Sequence, residues 1–330
     1  MSKKRTGQHG HDYMNRAPSN AQYEPKQKKP NVFSSCDVAS ASVKQPDAPV
    51  QPKGTQRDEE NDKSAPPEPG IALDQWRGEA EAVKGLAHHR SRLPCQDAAR
   101  WRQLPRPLIV VSDGAGSAKV SELGAQALVM GVSTFVATID DWLSEWLDDT
   151  REEAQANTQA QRLSRWLLAF GKETLAQLAE AERRSIADLR ATLLLAIAGK
   201  RWCFWWQVGD GAVVCRRNGD LQLLTDTARV KGEFANHTTF IDQAQSESVQ
   251  FGLVPTALVS GIAVMSDGSA ERLVAHDGSC VARQLGQWFD DAVAQRLDAM
   301  ALAKIFRDPA FWHRTSLDDC SIALMARKEA

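Results

Sequence analysis

Short runs that are mostly apolar punctuate the chain from Leu108 onward, most of them closed by Gly, Asp or Asn. Leu108–Ser112, Ala191–Ala198, Trp202–Val208, Ala212–Arg216, Leu221–Thr225, Ile262–Ser266 and Ser321–Ala326 all have this form. Short apolar runs of this length, most of them bounded by turn residues, and β-branched in Leu108–Ser112, predict β-strands. Trp76–His88 and Asp97–Trp101 predict two more strands around a turn near Arg90–Pro94. From Ser121 to Ile139 the apolar residues recur at helical spacing, with Ser121 placed to cap the helix. Trp142, Trp146, Trp166, Leu167, Phe170, Leu175 and Leu178 extend the three- and four-residue spacing, which fits two amphipathic helices after Asp140. A helix-flanked β-sandwich, of α+β class, accommodates this order of elements.

Composition changes the picture at the N-terminal end. Residues 1–70 hold nine of the 14 prolines and no apolar periodicity that would bury surface, so they predict a disordered Pro/Ser/Lys-rich tail. The folded domain is expected over 71–330. With 40 basic and 42 acidic residues the charge is balanced, so neither a nucleic-acid nor a membrane surface is expected as the main partner. Apolar runs fall far short of the ~20 residues that span a bilayer, and the opening MSKKRTGQHG leads into no apolar segment. A cytoplasmic, monomeric protein is the expectation. Six cysteines are scattered without a C-x-x-C pair, which points to free thiols. The tryptophans, Trp202, Trp205 and Trp206 among them, read as core packing.

Four acidic motifs share one placement. LIVVSDG ends a strand at Asp113, WWQVGDG at Asp210 and IAVMSDG at Asp267, while DDCSIALM begins one at Asp318. In an antiparallel sheet the end of one strand and the start of its neighbour share an edge, so these carboxylates can converge at one rim. Carboxylates forced together raise one another's pKa unless cations neutralise them. An all-oxygen donor set without His or Cys suits Mg²⁺ or Mn²⁺. Asp-Gly after a strand is also ordinary turn chemistry. On placement alone, turn and metal site stand side by side.

At these residues the chain resembles the protein phosphatase 2C family, metal-dependent serine/threonine phosphatases, and its bacterial branch in particular. The matching stretches are GLAHHRSRLPCQDAA, VVSDGAGSA, WWQVGDGAVV, VMSDGSAE and DDCSIALM, in family order over about residues 78–326. The resemblance implies a four-layer α-β-β-α sandwich of two antiparallel sheets flanked by helices. It implies a phosphoprotein phosphatase that hydrolyses phosphate monoesters with water held between two Mn²⁺ or Mg²⁺ ions, with a third, weaker ion beside them. Asp113 would bridge the two ions, the Gly114 carbonyl would bind the second, and Asp267 and Asp318 would complete the first; a register slip by one would substitute Asp319. Asp210 and Glu271 would hold the third. Asp97 would orient or deprotonate the nucleophile, and Arg92 would grip the substrate phosphate.

The implied partners are phosphoserine and phosphothreonine proteins, a cognate serine/threonine kinase or its substrates among them. Two residues depart from the family pattern: Ala115 stands where animal members have a histidine, and Gln96 where many have glutamate. His88 and His89 fall on the first strands, where alternation would turn one toward the site. The polar stretch from Thr225 to Phe251 matches a flap beside the channel. Two further readings share the same residues: a phosphoprotein-binding pseudophosphatase without turnover, and a hydrolase of small phosphate esters.

Overall fold

A strand covered on both faces can be apolar throughout, and that is how these runs are used. In the computed structural model, which describes residues 70–226, 238–311 and 317–329, the strands are β1 (Arg77–Val83), β2 (Ala98–Arg102), β3 (Leu108–Ser112), β4 (Leu193–Ala198), β5 (Trp202–Val208), β6 (Ala212–Arg217), β7 (Asp220–Leu223), β8 (Gln250–Pro255), β9 (Val259–Met265) and β10 (Cys320–Ala326). They form two five-stranded sheets, ordered β1-β10-β9-β6-β7 and β2-β3-β4-β5-β8. Every pairing is antiparallel.

Alternation sorts each strand's side chains into two cores. Ile109, Val111, Leu194, Ala196, Val264, Ala323 and Met325 fill the space between the sheets. Leu108, Val110, Leu193, Leu195 and Ile197, on the opposite face of the second sheet, pack beneath α2 (Ser121–Thr138) and α4 (Glu153–Ala181). Met265, Ile322 and Leu324 meet α5 (Asp267–Leu273), α6 (Arg283–Val293) and α7 (Ala299–Phe306) outside the first sheet. The expected four-layer sandwich is therefore observed.

Several elements differ from the sequence reading. Trp76–His88 is not one strand: β1 stops at Val83 and Leu86–Ser91 forms a short helix, α1, that carries His88 and His89. Gly85 begins that helix from an extended conformation and Arg92 ends it in the left-handed region, with φ 59°. Ser121 is the first helical residue of α2, not its cap; Val120 holds that position without a side-chain bond. In place of two amphipathic helices, a four-residue α3 (Asp140–Leu143) runs into a π-helical turn, and one 29-residue helix, α4, follows. Part of the expected flap is the strand β8. Cys95, Cys203, Cys215 and Cys320 are free thiols, but Cys280 is disulfide-bonded. The expected tail lies outside the described residues apart from Gly70, as do 227–237 of the flap. No single described helix is long and apolar enough to cross a membrane, although α2 passes that test together with the bent segment after it.

A buried guanidinium joins the second sheet to its helical layer. Arg106, 1% exposed, donates from Nε to Asp140 (2.6 Å) and from both terminal nitrogens to Asp148 (3.1 and 3.2 Å), and its Nη2 also reaches Ser144 Oγ (2.8 Å). Asp148 accepts in addition from the backbone N–H of Lys200 (2.8 Å). Removing one partner of a buried pair leaves the other charge uncompensated. Arg106→Leu is therefore expected to lower the unfolding free energy by about 3–5 kcal/mol in a urea titration. A loss under about 1 kcal/mol, the range of an exposed ion pair, would contradict this assignment.

Candidate metal centre

The strand registers bring the acidic motifs to one rim. Ala98 pairs with Ser112, Leu193 with Val208, and Met265 with both Ala212 and Ile322. Asp97, Asp113, Asp210, Asp267 and Asp318 each sit one to four residues beyond one of these paired positions, on the same side. Backbone bonds hold the turn after β3 from both sides: the Gly114 N–H donates to Gln96 O (3.1 Å), the Ala115 N–H to Arg190 O (2.9 Å), and the Thr192 N–H to Asp113 O (2.8 Å). The Thr192 hydroxyl accepts from the Asp113 N–H (3.0 Å). The turn that presents Asp210 is fixed by the buried Gln207, whose amide donates to the carbonyls of Gly209 and Gly211, both at 2.9 Å. Gly209, at φ 121°, takes a conformation that a side chain disfavours.

Carboxylate oxygens of Asp113, Asp210 and Asp267 lie within 4.8 Å of one another. The charge of Asp318 acts on Asp267, and that of Asp97 on Asp113. Burial pushes the Asp113 carboxyl well above the usual range, and the charges of Asp97, Asp267 and Asp210 push the same way. Asp267 is raised to about 7 by burial and then by Asp210 and Asp318. Asp97 is also raised to about 7, first by burial and then by Asp319 and Asp267, against the lowering influence of the Ser321 and Ser266 hydroxyls. Its Oδ2 is buried without a partner among the described residues.

Two buried carboxylates away from this rim are paired with arginine: Asp148 with Arg106, and Asp242 with Arg190 (2.9 Å). Among the described residues no such ion pair involves Asp97, Asp113, Asp210 or Asp267. A set of converging oxygens without a protein counter-charge fits hard divalent cations of the Mg²⁺ and Mn²⁺ type.

Other sequence-derived candidates stand apart from this group. Glu271 is on an exposed position of α5, outside the three-carboxylate cluster. Arg92 is exposed at the end of α1 and forms no ion pair among the described residues. Of the adjacent pair, Asp318 has a side chain 56% exposed, whereas that of Asp319 is 2% exposed and accepts the backbone N–H groups of Gly85 and Gln96, each at 2.6 Å. Asp318 is therefore the more accessible of the two, and its Oδ1 accepts the Asp319 N–H (2.9 Å). His88 lies between the two, with Nδ1 2.9 Å from Asp319 and Nε2 4.0 Å from Asp318.

Thr192, Gln207, Asp319 and Thr238, whose hydroxyl donates to Asp210, were not singled out as supports by the sequence reading. A signal existed for one of them: Gln207 is the polar residue in an otherwise apolar strand, WWQV.

The model of the protein phosphatase 2C family matches residues 84–306. No curated protein matches the chain. Among solved structures, PppA of Pseudomonas aeruginosa, described as a key regulatory component of T6SS, is 16% identical with a TM-score of 0.52, covering 78% of this chain and 99% of its own. The serine/threonine phosphatase PstP/Ppp of Mycobacterium tuberculosis is 14% identical with a TM-score of 0.50, covering 77% and 99%. At these identities the likeness is one of fold.

The raised carboxyls have a consequence for the metal-free protein. A carboxyl whose folded pKa exceeds its unfolded value, about 4, contributes stability below that value and loses it as pH rises through the folded pKa. With Asp97 and Asp267 near 7, the melting temperature of the chelated protein is expected to fall between pH 5 and pH 8. Asp113→Asn should flatten that fall by removing one of the raised carboxyls. A melting temperature that rises over this interval would contradict the electrostatic account.

Proposed function

Because the chain belongs to the protein phosphatase 2C family, we propose that it is a metal-dependent serine/threonine phosphoprotein phosphatase, a phosphoric monoester hydrolase. The observation that carries this reading is the group of Asp113, Asp210 and Asp267, which has no counter-charge among the described residues. Asp113, Asp267 and Asp318, with the Gly114 carbonyl, would hold two divalent cations, Mn²⁺ or Mg²⁺. Asp210 and Glu271 would hold a further, weaker one. Bound there, such cations would polarise the phosphate oxygens and lower the pKa of a coordinated water.

The chain's own groups divide the remaining work. Asp97 has a buried, unpartnered oxygen with which to orient the attacking water and accept its proton. In-line attack forms a new P–O bond to that water and breaks the bond to the seryl or threonyl oxygen, which takes a proton from solvent water and leaves as the alcohol. Arg92 would bind the phosphate through its guanidinium fork, for which no carboxylate of the described residues competes. Ala115 offers no proton to the leaving oxygen, so esters of poorer leaving groups should react more slowly. The polar segment from Thr225 to Phe251 would shape substrate choice, as loops on a rigid scaffold commonly do. Phosphoproteins, including a kinase or its substrates, are the proposed targets. Residues 1–70 supply none of these groups.

Hydrolysis of a phosphothreonine peptide tests the reading. Activity should require Mn²⁺ or Mg²⁺, disappear with excess chelator, and fall more than about 100-fold in Asp113→Asn and Asp267→Asn, beyond what loss of an outer-shell contact costs. A folded, metal-supplied chain that binds the peptide without turnover would instead support the pseudophosphatase, and preference for metabolite esters would support the small-ester hydrolase. Arg92→Ala should raise KM more than it lowers kcat, which steady-state kinetics on the same peptide will read; an unchanged KM would remove Arg92 from substrate binding. A chain beginning at residue 70 should keep the metal-dependent activity, and a folded but inactive one would contradict this division of the chain.

A further inference from the structure

Asp319 is buried and lies outside the group of Asp113, Asp210 and Asp267, grouped instead with His88 and Asp318. Its Oδ1 accepts the Gly85 N–H and its Oδ2 accepts the Gln96 N–H, both at 2.6 Å. The same Oδ2 lies 2.9 Å from His88 Nδ1. Gln96 passes the connection on, because its own carbonyl accepts the Gly114 N–H at 3.1 Å. One side chain thus ties together the three segments that present Asp318, Asp97 and Asp113–Gly114. Asp318 is its chain neighbour, Asp97 follows Gln96, and Gly114 follows Asp113.

The surrounding backbone leaves little room for any other arrangement. A Cβ on Gly85 would meet Asp318 O at 2.3 Å, and one on Gly268 would meet Asp319 O at 2.1 Å. These glycines press the start of α1 and the first turn of α5 against the two aspartates. Like-charged groups at the rim push outward on the segments that carry them. A clasp across those segments is what such a rim needs before any cation arrives.

We propose that Asp319, held against the His88 ring, is a positioning residue that sets the distances among Asp97, Asp113 and Asp318 and so tunes the affinity of the centre for divalent cations. The inference rests on the metal-centre reading above. It requires a carboxylate at this position: an amide has one acceptor oxygen, and its NH₂ would face one of the two backbone N–H groups. His88 contributes a nitrogen at the Nδ1 position.

Mn²⁺ titration of the metal-free protein, followed by calorimetry, tests this without recourse to turnover, alongside the melting temperature of each chelated variant. Asp319→Asn should weaken Mn²⁺ binding about 10–100-fold, the range expected of an outer-shell partner. His88→Leu should weaken it in the same direction, while His88→Asn, which keeps an N–H near the Nδ1 position, should recover most of the loss. A purely structural role would lower the melting temperatures and leave the Mn²⁺ affinity of folded protein unchanged in all three, which would overturn the proposal. If Asp319→Asn does not fold, the two His88 variants decide, since equal affinities for Leu and Asn would also overturn it. Native protein that bound no Mn²⁺ would refute the metal centre and this inference with it. Native binding shared undiminished by Asp319→Asn would refute this inference alone.

Discussion

Repulsion among the carboxylates at one rim of the sandwich is the constraint around which the rest of this structure is arranged. Asp113, Asp210 and Asp267 are held with oxygens within 4.8 Å of one another, and Asp97 and Asp318 add their charges to the group. Left to itself, such a set would separate or protonate. It stays together because each member sits on a turn anchored from at least one side by hydrogen bonds. Thr192 and Arg190 hold the Asp113 turn, Gln207 the Asp210 turn, Ser266 and Ser321 the ends of β9 and β10, and Asp319 the approach to Asp97.

The two sheets make this economical. Antiparallel pairing puts strand ends and starts on a common edge, and burial of both faces makes the register costly to shift, because a one-residue slip would exchange every inward side chain for an outward one. The apolar cores thereby fix the rim to a geometry that the acidic groups alone would not choose. Arg106 does similar work at its own end of β3, joining the second sheet to the segment around Asp148 through a satisfied buried charge. The two charged sites contrast: one is neutralised by an arginine of the chain, and at the other no ion pair forms with Asp97, Asp113, Asp210 or Asp267 among the described residues.

The sandwich was legible because strands buried on both faces read as uninterrupted apolar runs, and LIVV and LLLAIA leave little else to infer. The convergence of Asp113, Asp210 and Asp267 was legible because their motifs all stand at strand ends. The start of the domain was not: GLAHHRS lacks the length for helical periodicity, and its helix depends on Gly85 being held by a carboxylate 234 residues away. For the same reason the different fates of Asp318 and Asp319 could not be read from a DD dipeptide, since burial of one and exposure of the other arises only when α1 and β10 meet. Glu271 stands at motif spacing, and its exposure on the short helix α5 could not be read from that spacing. The strand β8 was hidden because Gln250–Pro255 is an edge strand, half-buried and ending in proline, with a weaker apolar pattern than its neighbours.

Anomalous diffraction at the manganese edge, from crystals of the native chain grown with Mn²⁺, tests the central claim most directly. The account predicts a pair of neighbouring anomalous peaks among Asp113, Gly114, Asp267 and Asp318, absent from crystals of Asp113→Asn grown in the same way. Well-ordered crystals in which Mn²⁺ is found only elsewhere, with these carboxylates protonated or turned to protein partners, would contradict it.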